Sequence, residues 1–206
     1  MISAIILAAG KSTRMGQSKM SMQWGDTTVL EKVIQTIHTA GIEEIALVAN
    51  SKIADNFTVH ISRVIVNDGG EMLTSVQCGL RALLPPPSLR DSSPKSARFG
   101  GGQMEAALIC LGDQPQVEER SVRSVCEAFQ ISGSKLVVPS YQMRRGHPWL
   151  LARELWDEVL RMREPETLRE FLNRHASEIE YVDVNTPTIL QDLDTPDDYL
   201  KYKPRD

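Results

Sequence analysis

Five short apolar runs, at 4–8, 45–49, 64–66, 107–111 and 136–138, show no alternation of polar and apolar positions. A strand with one wet face alternates, and a strand covered on both faces does not. These runs therefore read as buried strands of a parallel sheet. Stripes at helical spacing lie between them. Leu30, Val33, Ile34 and Ile37 form one, with Gly41 placed to cap it; Leu73, Val76, Leu80 and Leu83 form another, which Pro85 must stop; Val122, Val125, Cys126 and Phe129 form a third. Strands alternating with helices predict right-handed crossovers and an α/β fold, with helices on both faces of a mostly parallel sheet. A chain of 206 residues holds one such domain, 1–206.

Two regions break the rhythm. Residues 85–103 hold three consecutive prolines, three consecutive glycines and scattered Ser, Lys and Arg, and read as a flexible surface loop. From about residue 140 onward come helical patterns around 151–159 and 168–172, then a strand-like stretch at 178–184. No linker precedes them, so 140–206 reads as an addition at the sheet edge, and 1–139 as the part that carries the first ligand.

Charge narrows the function. Lys and Arg total 23 and Asp and Glu 27, a net charge of −4. Binders of nucleic acid or of anionic membranes usually carry a basic excess, so neither is expected. The apolar run at 2–9 is too short to span a membrane, and Lys11 and Arg14 follow it where a signal peptide would have them first. Cys78, Cys110 and Cys126 are odd in number and form no C-x-x-C. The reading is a reduced, cytoplasmic protein with small core cysteines and no thiolate zinc site.

The most informative stretch follows the first strand: Leu7-Ala8-Ala9-Gly10-Lys11-Ser12-Thr13-Arg14-Met15-Gly16-Gln17-Ser18-Lys19. Ligands of open α/β sheets bind at the carboxyl ends of strands. Small residues and Gly10 let the backbone approach a ligand, successive N–H groups can form a nest for phosphate oxygens, and Arg14 and Lys19 add positive charge. A P-loop would need Gly where Ile5 stands, and no G-x-G-x-x-G occurs. Taken alone, such a glycine-rich stretch is more often a tight turn with surface cations.

Other landmarks carry their own bland readings. Asp113, in Leu111-Gly112-Asp113-Gln114-Pro115, closes a strand, where a carboxylate suits Mg²⁺ or hydrogen-bonds its own turn. In Asp192-Leu193-Asp194-Thr195-Pro196-Asp197-Asp198, helix capping explains Thr195 to Asp198 but leaves Asp192 and Asp194 without a role. Ser75 and Gly79 suit a helix packed closely on the sheet. Arg144-Arg145-Gly146-His147-Pro148 is a cationic loop that could hold an acidic substrate, although a lone loop histidine is commonly an ordinary surface residue.

Together these residues resemble the nucleotidyltransferases of molybdenum cofactor biosynthesis, above all the cytidylyltransferase branch. The match runs through L-A-A-G-x-S-x-R-M-G-x-x-K, G-D-x-P, D-x-D-T-P-x-D, M-x-x-S-[apolar]-x-x-G and G-H-P, down nearly the whole chain. The resemblance implies a Rossmann-like three-layer α/β/α domain that uses a nucleoside triphosphate with Mg²⁺ (or Mn²⁺) and releases pyrophosphate. It assigns Leu7, Ala8, Ala9, Gly10, Ser12, Arg14, Lys19, Asn67, Ser75 and Gly79 to the nucleotide. Lys19, Arg14 and Asp113 become the catalytic groups, Asp113 and Asp194 the metal pair, and Gly146, His147 and Pro148 the acceptor site. Ala9 replaces the first glycine of the guanylyltransferases' L-A-G-G, which favours CTP over GTP. The implied acceptor is a phosphorylated pterin, and the implied client an apo molybdenum hydroxylase. Two departures affect Asn67: only four residues separate it from Met72, and Glu71 stands where the family often has Gly. Three alternatives remain: a guanylyltransferase, a transferase acting on a sugar phosphate or methylerythritol phosphate, and a non-catalytic carrier of the cofactor.

Overall fold

The structure, a computed structural model, describes residues 1–10, 18–55, 61–85, 98–99 and 102–204. Its strands are β1 (Ile2–Ala8), β2 (Gln23–Trp24), β3 (Thr27–Thr28), β4 (Ile45–Ala49), β5 (Arg63–Val66), β6 (Arg98–Phe99), β7 (Gly102–Gln103), β8 (Ala106–Leu111), β9 (Leu136–Tyr141), β10 (Arg144–Arg145), β11 (Trp149–Ala152) and β12 (Ile179–Asp183). Its helices are α1 (Val29–Thr39), α2 (Ser51–Ala54), α3 (Met72–Leu83), α4 (Glu119–Ser132), α5 (Trp156–Arg161), α6 (Leu168–Arg174) and α7 (Pro196–Tyr202).

The main sheet has eight strands in the order β10-β9-β11-β8-β1-β4-β5, with β12 on the free side of β9. β1 pairs in parallel with β4 and β8, β4 with β5, and β12 with β9; β11 is antiparallel to both its neighbours, as is β10 to β9. The sheet is thus mostly parallel, as the unbroken apolar runs predict.

β1 shows why such runs form here. Ile5 and Leu7 point into one core with Val76, Leu80 and Leu83 of α3 and Trp156 of α5. Ala4, Ile6 and Ala8 point into the other with Leu30, Ile34 and Ile37 of α1 and Val122 and Val125 of α4. Both faces are covered, so neither tolerates polar residues. Each buried Ile or Leu is worth about 2 kcal/mol relative to exposure. Capping fixes the helix starts: Thr28 with Glu31, Thr167 with Glu170, and Thr195 with Asp198 form reciprocal capping boxes.

The chain moves from β1 to β4 to β5 on one side of β1, then crosses to β8 on the other. The order reverses between β1 and β8, and in sheets of this kind that point opens a crevice at the strands' carboxyl ends.

Three expectations need correction. The apolar run at 64–66 forms β5 at the edge of the sheet, where Val64 and Val66 are exposed, so this strand is not covered on both faces. The helical pattern around 151–159 begins as β11, turns through a 3₁₀ turn at Arg153–Leu155 and becomes α5 only at Trp156. Trp149, Leu150, Leu151 and Ala152 are all buried, and a fully buried strand has no alternation to separate it from a helix. The addition at the sheet edge is partly interior as well, because β11 runs between β8 and β9. Of the expected loop at 85–103, residues 86–97, 100 and 101 lie outside the described residues, while β6 and β7 pair antiparallel.

Candidate active site

The β1–β8 crevice gathers charge from three segments. Lys19 opens a short 3₁₀ turn, Lys19–Ser21, downstream of β1. Asp113 follows β8, and Asp194 precedes α7. The Lys19 ammonium donates to Asp113 Oδ2 and, at 3.3 Å, to Asp194 Oδ1. Burial opposes the charge on Lys19, but the two carboxylates outweigh it and raise its pKa above the usual lysine value. Asp113 is well covered and Asp194 about half exposed, so the pair faces solvent through Asp194.

Backbone contacts hold these groups in place. Gly112 N–H donates to Leu7 O at 2.9 Å, which locks the end of β8 to that of β1. A Cβ at Gly112 would lie 3.0 Å from that oxygen and 3.2 Å from Met20 Sδ, so only glycine fits comfortably beside Asp113. Leu193 N–H donates to Asp113 O at 3.2 Å, and the Leu193 side chain is fully buried with Trp24 and Val29. Gln114 Nε2 donates to Asp192 Oδ1 at 2.7 Å, and Gln116 Nε2 to Gln191 O at 2.5 Å. Burial, followed by the charge of Asp113, raises the pKa of Asp192. Gln114 and Gln116 do not figure among the sequence candidates. Their signal is slight: two amides immediately after a strand-end aspartate.

The remaining candidates fall into three places. Leu7, Ala8 and Ala9 are buried, so their backbone is what they offer a ligand, whereas Gly10 is exposed and a Cβ there would touch none of the described residues within 4 Å. Ser12 and Arg14 lie outside the described residues. Asn67, at the end of β5, donates from Nδ2 to Ser75 Oγ at 2.9 Å, and its Oδ1 accepts from Gly69 N–H at 3.1 Å. This pair stands two strands from β1, about 10 Å across the sheet. Gly79 is a packing position: a Cβ would run into the side chain of Ile5.

The Gly146-His147-Pro148 turn follows β10. Gly146 N–H donates to Pro139 O at 2.9 Å and His147 N–H to Ile189 O at 3.0 Å. Burial lowers the His147 pKa to about 4, so the ring is neutral near pH 7. Arg145 is engaged with the Tyr181 hydroxyl at 2.9 Å and Asn173 Oδ1 at 2.8 Å; Arg144 is exposed. The segment 189–194 therefore runs as a strap from His147, past Gln116 and Gln114, to Lys19.

The donor set suits a hard divalent cation. Two carboxylates on separate loops already meet at one positive atom, and both offer oxygen. Among the described residues no three His, Cys, Asp or Glu side chains form a metal-binding group. No helix among them is long and apolar enough to cross a membrane.

The profile of the MobA-like NTP transferase domain family matches residues 4–179. The molybdenum cofactor cytidylyltransferase of Escherichia coli K12 is 24% identical over 99% of this chain and 96% of its own length. The crystal structure of Rv0371c from Mycobacterium tuberculosis H37Rv superposes with a TM-score of 0.78 at 23% identity, covering 97% of this chain and 96% of that one. A manganese complex of the same mycobacterial protein superposes with a TM-score of 0.71 at 22% identity, over 97% and 96% of the two chains.

Proposed function

The chain belongs to the MobA-like NTP transferase domain family, and from that premise we propose that this nucleotidyltransferase moves CMP from CTP to the terminal phosphate of molybdopterin or its molybdenum-bearing form. Pyrophosphate is the second product, and an apo molybdenum hydroxylase receives the first. One observation carries the reading: Lys19, Asp113 and Asp194 converge at the carboxyl ends of β1 and β8. The name of the Escherichia coli relative supports a cytidylyl donor and a molybdenum cofactor acceptor. Ala9, in place of the guanylyltransferases' glycine, supports the same choice of donor.

An acceptor phosphate oxygen attacks the α-phosphorus of CTP. The bond from that phosphorus to the bridging oxygen breaks, and pyrophosphate leaves with the electron pair. The acceptor phosphate, with a second pKa of about 6, is already ionised near neutrality, so the step needs no general base. That agrees with His147 as a neutral group that orients the acceptor beside Gly146 and Pro148. Lys19 balances charge at the α-phosphate and Arg14 at the leaving pyrophosphate, while Leu7 to Gly10 and Ser12 offer backbone and hydroxyl to the nucleotide. Asn67 and Ser75 hold base and ribose at the far end of the crevice; Gly79 contributes by letting α3 sit close to β1. Asp113 and Asp194 would hold Mg²⁺, or manganese as in the mycobacterial structure, and the bound ion would offset negative charge on phosphate oxygens.

The test is pyrophosphate release with each nucleoside triphosphate, with and without molybdenum cofactor. The expected result is release that needs both CTP and the cofactor and falls about a hundredfold in Lys19→Ala and in Asp113→Ala. Release that needs GTP or a sugar phosphate reassigns the substrates. Wild-type turnover in both variants refutes the site, and no release with any triphosphate points to a carrier.

A further inference from the structure

The Lys19 ammonium stands where a divalent cation would be held. It reaches both carboxylates from the short turn downstream of β1, on a side chain that is 11% exposed. A flexible surface lysine would visit such a place briefly; a buried one is seated there. The position is also shared, since Asp113 comes from the end of β8 and Asp194 from the strap. Both loops are pinned independently of the ammonium, by Gly112 N–H on Leu7 O, Leu193 N–H on Asp113 O and Gln116 on Gln191 O. The carboxylates would therefore still face each other if Lys19 left.

Two cations compete for those oxygens. An ammonium and a divalent ion within about 4 Å of each other repel strongly in a partly buried site, so both cannot use the same pair at full strength. Charge counting points the same way. Two carboxylates and one ammonium leave −1, whereas a divalent ion brings the pair to zero and frees the ammonium for an anion.

We propose that Lys19 is a resident counter-ion which the metal must displace, and that the triphosphate draws it off, so that metal and nucleotide each strengthen the binding of the other. The proposal rests on reading this crevice as the metal and nucleotide centre. Before substrate arrives the ammonium offsets half of the pair's charge and opposes a lone divalent ion. The exchange also delivers Lys19 to the phosphates at the moment the ion is seated. Linkage makes the effect reciprocal, with a coupling factor of about 5 to 150 as in ordinary two-ligand systems.

Mn²⁺ binding to the full chain is measured by calorimetry, with and without a non-hydrolysable α,β-methylene analogue of CTP. The expected results are weak Mn²⁺ binding to the wild type alone, and Mn²⁺ binding to Lys19→Met, without analogue, at least about fivefold tighter than to the wild type. Lys19→Gln serves as a second variant, because its amide removes the charge and still hydrogen-bonds to the carboxylates if Lys19→Met fails to fold. Wild-type protein alone supplies another readout: saturating Mn²⁺ should raise acetylation of Lys19 by acetic anhydride, read by mass spectrometry. Equal or weaker Mn²⁺ binding in the variants, or unchanged Lys19 labelling at saturating Mn²⁺, overturns the exchange. Failure of the underlying reading is distinct: Mn²⁺ would then bind Asp113→Asn as it binds the wild type, or bind neither even with the analogue.

Discussion

Replacing Gly146 by alanine drives a methyl group into the carbonyl oxygen of Ile189. The Ile189 side chain closes the remaining space, with its Cδ1 at 2.7 Å and Cγ1 at 2.8 Å from the added atom. Gly146 is buried and its N–H is tied to Pro139 O at 2.9 Å, so the turn cannot retreat freely. The strap must move instead, and its bond from His147 N–H, 3.0 Å long, stretches or breaks. Overpacking of this kind costs about 1–3 kcal/mol, and a lost backbone hydrogen bond about 1 kcal/mol more. A total of about 3 kcal/mol corresponds to about 6–12 °C in Tm for a chain of this size. Thermal unfolding followed by circular dichroism reads the shift. Gly10→Ala is the control, because none of the described residues lies within 4 Å of its Cβ position and its Tm should stay put. A Gly146→Ala protein that melts with the wild type would refute the packing argument. Wild-type melting combined with lost turnover would show that Gly146 is needed by the acceptor and not by the strap.

Two further outcomes follow from buried polar groups. Gln77 donates to Val159 O at 2.9 Å and Met162 O at 3.1 Å, joining α3 to the end of α5; both carbonyls keep another donor, Met162 N–H and the Arg163 guanidinium, so Gln77→Met loses two ordinary hydrogen bonds and should cost about 1–3 kcal/mol in guanidinium unfolding. His147 has a pKa of about 4 when folded against an ordinary 6.5. The unfolded chain therefore takes up a proton first as pH falls, and stability present above pH 6.5 is lost on the way down. The loss should be about 2–3 kcal/mol between about pH 7 and about pH 4.5. Urea titrations should show that His147→Gln removes this part of the acid slope, and an unchanged slope would mean the ring is solvated in the native state.

The buried strands were readable because covering both faces of a sheet leaves a one-dimensional mark, the unbroken apolar run. β1, β4, β8 and β9 carry it, and each lies where the pattern puts it. β11 carries the same mark but sits among Leu and Trp residues that also repeat at helical spacing, so only its pairing with β8 and β9 decides the matter. Asp113 was readable as a strand-end carboxylate. Its partnership with Lys19 and Asp194 was legible through the resemblance alone, because no local pattern joins three segments so far apart in the chain. Gly79 and Gly146 stand in suggestive motifs, yet what makes each a glycine is the nearness of Ile5 and Ile189, a fact of packing.

The strap explains why the site resists local reading. His147 N–H, Gln116, Gln114, Asp113 O and Lys19 all contact residues between 189 and 194. The strands β8, β9 and β11 place the turns that this segment spans. Leu193, fully buried against Trp24 and Val29, supplies the apolar hold, while the amides of Gln114 and Gln116 set where the strap lies. Asp194 can then stay about half exposed and still face Asp113. The acidic pair is thus assembled by neighbours that carry little charge themselves, and a search for charged motifs finds the carboxylates without finding what aims them.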